Sequence, residues 1–396
     1  MSAFSERGEV PQAASWQAFL SYAFRPLYLL AAAQGALFAL LWGLNIGGTA
    51  ALPGFLWHGH EMVWGYAGAV IVGFLLTAVA TWTGQPPLGG RPLGVLVLLW
   101  LGARVLLSVL PQSVWPGGLL SVAFFLAAAV LFARPILHSQ NRRNLFPVLL
   151  LLAFAGTDAL FLLAVAGHLA LDLRGILHAG LLIVAVLIFM MGSRVIPFFT
   201  ARRLRVEQVG NRPALLLAGL ALPLLLAIGV ACGVREGLPG LLLALIGLAG
   251  GLANLVSMLR WWRREVCSEP MLWVLFAGFA CTALGVALYG VAWVWTPAWL
   301  NAPLHLVPVG GIGTLTLGMM TRTALGHTGR PIAAPAGMVP AFCLMLAATG
   351  LRVLSALWPA WHQALVLAAG LCFAAALGIF LWRYAPWLLR PRANQG

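Results

Sequence analysis

An all-α, polytopic membrane protein with twelve transmembrane helices is the fold class this sequence predicts, on three observations. Of 396 residues, 62% are hydrophobic and 8% charged, with a mean hydropathy of +0.97; a soluble domain averages about 25% charged. Apolar runs of roughly 18 to 25 residues recur from one end to the other, each long enough to cross a ~30 Å hydrocarbon core as a helix. Finally, arginines alternate between the two sides of those runs. The formal charge is +14 and all 23 basic residues are Arg, which in this setting reports topology and not a nucleic-acid partner.

The runs place spans near residues 26–45, 60–83, 92–110, 117–136, 144–167, 174–199, 213–232, 238–260, 271–293, 303–325, 336–357 and 361–384. With that count, the termini and alternate loops hold 17 arginines, from Arg7 to Arg392, and the opposite loops hold only Arg174 and Arg235. A miscounted helix would scramble the asymmetry, so both termini are expected on the cytoplasmic side of a bacterial inner membrane. Trp42, Trp57, Trp115, Trp293, Trp295, Trp299, Trp358 and Trp361 then fall at the outer boundary, as an interfacial belt. Cys232, Cys267, Cys281, Cys343 and Cys372 form no CxxC and are expected as small buried hydrophobes without disulfides.

The chain is expected to be one transmembrane domain, 1–396, built from three four-helix repeats near 24–136, 144–260 and 271–384. Gly90-Arg91-Pro92, Asn211-Arg212-Pro213 and Gly329-Arg330-Pro331 precede the third, seventh and eleventh spans, each setting Pro in a first helical turn. Arg104-Val105 with Pro111 echoes Arg352-Val353 with Pro359. Histidine opens the second, sixth and tenth spans at His60, His178 and His305, and Arg194 and Arg322 close the last two, where they are expected to snorkel to the cytoplasmic boundary.

Repetition would bring His58, His60, His178 and His305 to one depth near the outer face. Neutral imidazole is a common ligand of copper and haem iron, so these four are the candidate metal ligands. If both are helical, His58 and His60 lie about 200° apart and face different neighbours. His168 and His362 sit at helix ends where water reaches them. Arg104 and Arg352 are costly within a membrane unless paired, and haem propionates would supply carboxylates; pairing to Glu61 is the other possibility for Arg104. Glu61 and Asp158, the intramembrane acids, are candidate proton-handling residues, with a helix-to-helix hydrogen bond as the alternative for Asp158.

Phe24-Arg25-Pro26, Trp57-His58-Gly59-His60-Glu61-Met62, Gly192-Ser193-Arg194-Val195-Ile196-Pro197-Phe198-Phe199-Thr200 and Gly318-Met319-Met320-Thr321-Arg322 resemble the NnrS family of bacterial inner-membrane proteins across essentially the whole chain. The resemblance implies haem b, copper and a link to nitric oxide or nitrosative stress, with His58, His60, His178 and His305 as metal ligands. The architecture is also similar to the catalytic subunit of haem-copper oxidases and nitric oxide reductases. It departs from them in having no histidine pair on the seventh span and one histidine on the tenth.

The expected function is therefore a haem and copper membrane protein that acts on nitric oxide, reducing it to nitrous oxide as an oxidoreductase or otherwise protecting against nitrosative stress, with an electron donor that the sequence does not reveal. The alternatives are a non-catalytic nitric oxide or metal-binding membrane protein and a metal-free twelve-helix transporter. Membrane lipid and nitric oxide are the expected partners, with no nucleic acid.

Overall fold

The computed structural model describes residues 13–110, 112–295 and 299–392. Twelve helices are long and apolar enough to cross a membrane: α1 Phe24–Gly43, α2 Gly54–Thr83, α3 Gly90–Val109, α4 Trp115–His138, α5 Arg142–Val165, α6 Leu173–Leu204, α7 Pro213–Ala231, α8 Gly237–Trp261, α9 Pro270–Trp295, α10 Asn301–His327, α11 Met338–Leu357 and α12 Pro359–Leu388. A short helix, Trp16–Phe19, lies before α1. Among the described residues there is no sheet, only one isolated bridge between Gly48 and Pro53.

Short loops make most neighbours in sequence neighbours in space, and α12 closes the bundle against α1. Within that ring α2, α6 and α10 meet one another. Gly180 of α6 admits the Trp64 indole of α2, since a Cβ there would lie 2.5 Å from the ring. Tyr66 of α2 hydrogen-bonds Thr316 of α10 at 2.7 Å. α6 packs along the middle of α10 and is the most enclosed of the twelve. A helix surrounded by others is apolar all round, as the run from Ala179 to Phe189 is.

Two central helices change winding just below their histidines. Glu61–Ala67 of α2 and Leu306–Gly313 of α10 are π-helical, and α6 has no such segment. A π turn loosens the backbone ladder and frees carbonyls. In α2 they are taken up by side chains: Gln34 donates to the Glu61 carbonyl at 3.0 Å and the Trp100 indole to the Gly65 carbonyl at 3.1 Å.

Several expectations are corrected. α2 starts at Gly54, six residues before the expected start, so His58 and His60 both lie on helix. Pro92 and Pro213 stand in first turns, but Pro331 lies in the loop before α11, which starts after Gly337 at φ +89° with Pro340 in its first turn. Pro111 and Arg7 fall outside the described residues. Trp57 and Trp293 are buried and Trp42 stacks on His58, so three of the eight belt tryptophans face inward. The five cysteines are free and none is fully buried, Cys232, Cys267 and Cys343 being exposed on the outside of the bundle. Arg322 does not snorkel: it is buried, donates to the Met271 carbonyl at 3.2 Å and lies 3.8 Å over the Phe199 ring.

Candidate functional site

The polar residues of the outer half divide into two groups, and α2 contributes to both. Because α2 is helical through 58–60, its two imidazoles point apart.

His60 points toward α3, α4 and α5. Its Nδ1 is 3.1 Å from Glu61 Oε1 and its Nε2 2.9 Å from Asp158 Oδ1. Arg104 donates to Glu61 Oε1 at 2.9 Å and to Ser121 Oγ at 3.0 Å, and Ser121 donates to Asp158 Oδ2 at 2.7 Å. The Gln34 amide reaches Glu61 Oε2 at 3.4 Å from α1. His60, Glu61 and Asp158 are 0% exposed and Arg104 5%.

With both ring nitrogens against carboxyl oxygens, neither nitrogen of His60 is free, and as the imidazolium the ring donates from both. Two cations then balance two anions and the cluster is neutral. A charge-balanced, hydrogen-bonded ring is the form in which four ionisable groups survive in a membrane interior. Gly65 makes room for it, since a Cβ there would come within 2.8 Å of both Arg104 and Gln34.

His60, expected as a metal ligand, therefore offers no lone pair. Arg104, expected on a propionate, is paired to Glu61. Glu61 and Asp158, expected to handle protons, bridge helices α1 to α5.

His58 points the other way, into a cavity of about 470 Å³ at the outer ends of α2, α6 and α10. His178, His305 and His362 line the same cavity, with Arg174, Arg235 and Arg352. Trp42, Phe55, Trp293 and Phe373 supply aromatic wall. Among the described residues no acidic side chain lines it.

Each imidazole is held so that a ring nitrogen remains available. His58 stacks on Trp42 at 4.4 Å and 12°, and its buried Nδ1 has no hydrogen-bond partner among the described residues. His305 Nδ1 is 2.7 Å from the Asn301 carbonyl and His362 Nδ1 2.8 Å from the Ser355 carbonyl. A carbonyl only accepts, so in both rings Nδ1 carries the proton and Nε2 keeps the lone pair. His178 Nδ1 pairs with the Tyr289 hydroxyl at 3.0 Å, which leaves its Nε2 uncommitted. An outer partner on one nitrogen that aims the other is how ligand histidines are oriented.

The arginines differ in the same sense. Arg235 is paired with Asp172 at 3.2 Å and lies 3.8 Å over the Trp293 ring, and Arg174 lies 5.0 Å over Phe55. Arg352 bonds only Ser355 of its own helix, at 2.7 Å, and has no carboxylate partner among the described residues.

Sequence reasoning gave Arg174 and Arg235 no place in the site, and put His362 at the outer face as a solvated helix-end residue with a ligand role only as its lesser reading. A signal for the two arginines was present: they are the only loop arginines on the outer side, the exceptions to the asymmetry that fixed the topology. His362 gave none, because its distance in sequence from His58 hides their common cavity.

The family described as NnrS protein matches residues 18–392. The chain belongs to the NnrS family. No curated protein matches it. This NnrS-family chain is a multi-pass inner-membrane protein.

Both cofactors implied by the family can be tested against the cavity. Among the described residues no three His, Cys, Asp or Glu side chains stand close enough to share one metal ion. The cavity histidines are thus spread around the wall, and they do not fit a compact three-histidine copper centre. A haem asks for less: one or two axial imidazoles, flat apolar walls and cations for two carboxylates. The unpartnered His58 nitrogen, the Nε2 lone pairs of His305 and His362, the aromatic wall and Arg352 meet that demand, and the volume lies within the usual ligand range of about 300–1,000 Å³.

Proposed function

We propose that this NnrS-family protein holds haem b in its outer cavity and binds nitric oxide there as a non-catalytic nitric oxide or metal-binding protein linked to nitrosative stress. The observation that supports it is the pairing of available histidine nitrogens with a cavity arginine that has no anion of its own. His58, His178, His305 and His362 are the axial candidates, and Arg352 with Arg174 and Arg235 the candidates for the propionates. Arg104 is not among them, because its guanidinium is committed to Glu61 and Ser121.

When bound, a haem supplies an iron position that takes a neutral diatomic ligand. The chain does the rest. Tyr289 and the Asn301 carbonyl fix the His178 and His305 rings. Trp42 and Trp293 cover the cavity's sides, and the positive charge of Arg352 favours an anionic over a neutral porphyrin edge.

Reduction of nitric oxide to nitrous oxide needs two electrons held close together. A second metal beside the first has no three-ligand set among the described residues, and the acids expected to relay protons are closed into their own network. Binding without turnover is therefore favoured over reductase activity.

The test is an anaerobic titration of the purified, reduced protein with nitric oxide. The expected result is a Soret shift that saturates at one ligand per haem with no nitrous oxide above background. Sustained nitrous oxide production that disappears in His178→Ala would overturn this reading in favour of the reductase, and a colourless, iron-free preparation would remove haem altogether.

A further inference from the structure

The three central helices line a second, half-open apolar cavity below the first. α2 lines the outer cavity with His58, Gly59, Met62 and Val63, and the lower one with Val70, Ile71, Phe74 and Leu75. α6 and α10 do the same, with His178 and Leu181 above Val184 and Leu187, and His305 and Val309 above Leu315 and Met319. From Val63 to Val70 is about 10 Å of helix rise. The two chambers thus follow one another along the axis of the bundle.

What separates them is a thin layer. Thr316, at the top of the lower chamber, is bonded to Tyr66 at 2.7 Å. The Tyr66 ring meets Phe373, which lines the outer cavity, edge-on at 5.8 Å.

The lower chamber has a volume of about 100 Å³ and, among the described residues, no charged lining residue. Of those residues Tyr28 and Thr316 bring a hydroxyl to it, and that of Thr316 is spent on Tyr66 and on the Gly313 carbonyl at 3.1 Å. A water needs two to four polar partners, and apolar cavities of comparable size stay dry and take up xenon or benzene. An ion has nothing to hold it here, and a hydrogen-bonding solute meets a single uncommitted hydroxyl among the described residues, that of Tyr28.

We propose that this chamber is a binding site for a small, uncharged, weakly polar molecule of diatomic-gas size, which waits there one layer below the histidine cavity. The site gathers a lipid-soluble gas by dispersion contacts alone. Passage upward requires the Tyr66–Thr316 contact to open. The biological ligand rests on the nitric oxide reading above, whereas the site itself does not.

Xenon is the probe. Purified haem-free protein in lipid nanodiscs is placed under xenon, binding is followed by ¹²⁹Xe NMR, and the gas is located in a structure determined under pressure. The expected result is saturable uptake with density between Val184, Leu187 and Leu315. Filling the chamber with Val184→Phe should weaken uptake by about tenfold or more. Ile188→Phe, at a half-buried position, gives the same test should the first variant fail to fold. Uptake that does not saturate, or density confined to the outer cavity or the lipid, overturns the proposal. Because no haem is present, the chamber fails or stands separately from the haem reading: xenon in the chamber of a protein that never takes up haem sinks only the latter.

Discussion

His58 and His60 are two residues apart on one helix and share no environment. Both ring nitrogens of His60 and every carboxylate oxygen of Glu61 and Asp158 are hydrogen-bonded, Arg104 Nε and Gln34 Oε1 being the atoms of the cluster left without a partner among the described residues, and the cluster ties five helices together. Around His58 the polar groups lack such partners: a ring nitrogen without a hydrogen bond, a guanidinium without an acid, and Nε2 lone pairs left on His305 and His362 by their Nδ1 bonds to carbonyls. In a membrane interior a matched group serves the fold, and an unmatched one implies a ligand. The two sides of α2 are therefore expected to respond oppositely to substitution.

The largest effect should come from the matched side. Asp158→Ala strands the His60 and Ser121 donors and upsets the charge balance, with an expected cost of about 3–5 kcal/mol. Unfolding of the purified protein by heat or denaturant in detergent reads this directly, and a loss below about 1 kcal/mol would mean that the network is not what holds α2 to α5. Removing Glu61 and Arg104 together, as Glu61→Met with Arg104→Met, should cost less than either change alone. Each single change leaves an unpaired charge, whereas the double change leaves the neutral His60–Asp158 pair. Additive losses would contradict that.

On the unmatched side the effect should be on ligand and not on fold. Tyr289→Phe removes the hydroxyl that aims His178 and is expected to weaken haem retention by about 10–100-fold, measured by transfer to apomyoglobin, if His178 is an axial ligand. The smallest effect on stability is expected at Arg352→Leu. Because no carboxylate pairs with that guanidinium, its loss should leave the unfolding midpoint within about 0.5 kcal/mol of the parent while the haem is held more weakly. A stability loss like that of Asp158→Ala would show that Arg352 belongs to the fold.

How much of this was visible in the sequence follows from the same contrast. Twelve spans were legible because length and apolarity are local signals. The central place of α2, α6 and α10 was indicated by histidines recurring at their outer ends, but which way each ring turned was not. That depended on α2 starting at Gly54 and not at His60, a boundary the apolar pattern leaves open. The Arg104–Glu61 pair was one of two readings of a buried arginine, and only the approach of α3 to the Gly65 notch decides between them. Arg104 and Arg352 looked alike in their repeats and have opposite fates, because only the first has an acid within reach. Tyr289 and His362, far from the other histidines in sequence, join the site through tertiary packing alone.

The most direct test compares the haem content of His60→Gln with that of His305→Ala, expressed side by side and normalised to folded protein. The expected result is a Soret band that persists in folded His60→Gln, at reduced yield, and is lost or strongly shifted in His305→Ala, whose yield is near the parent's. A His305→Ala protein with an unchanged spectrum beside a folded but colourless His60→Gln would contradict the division between the two faces of α2.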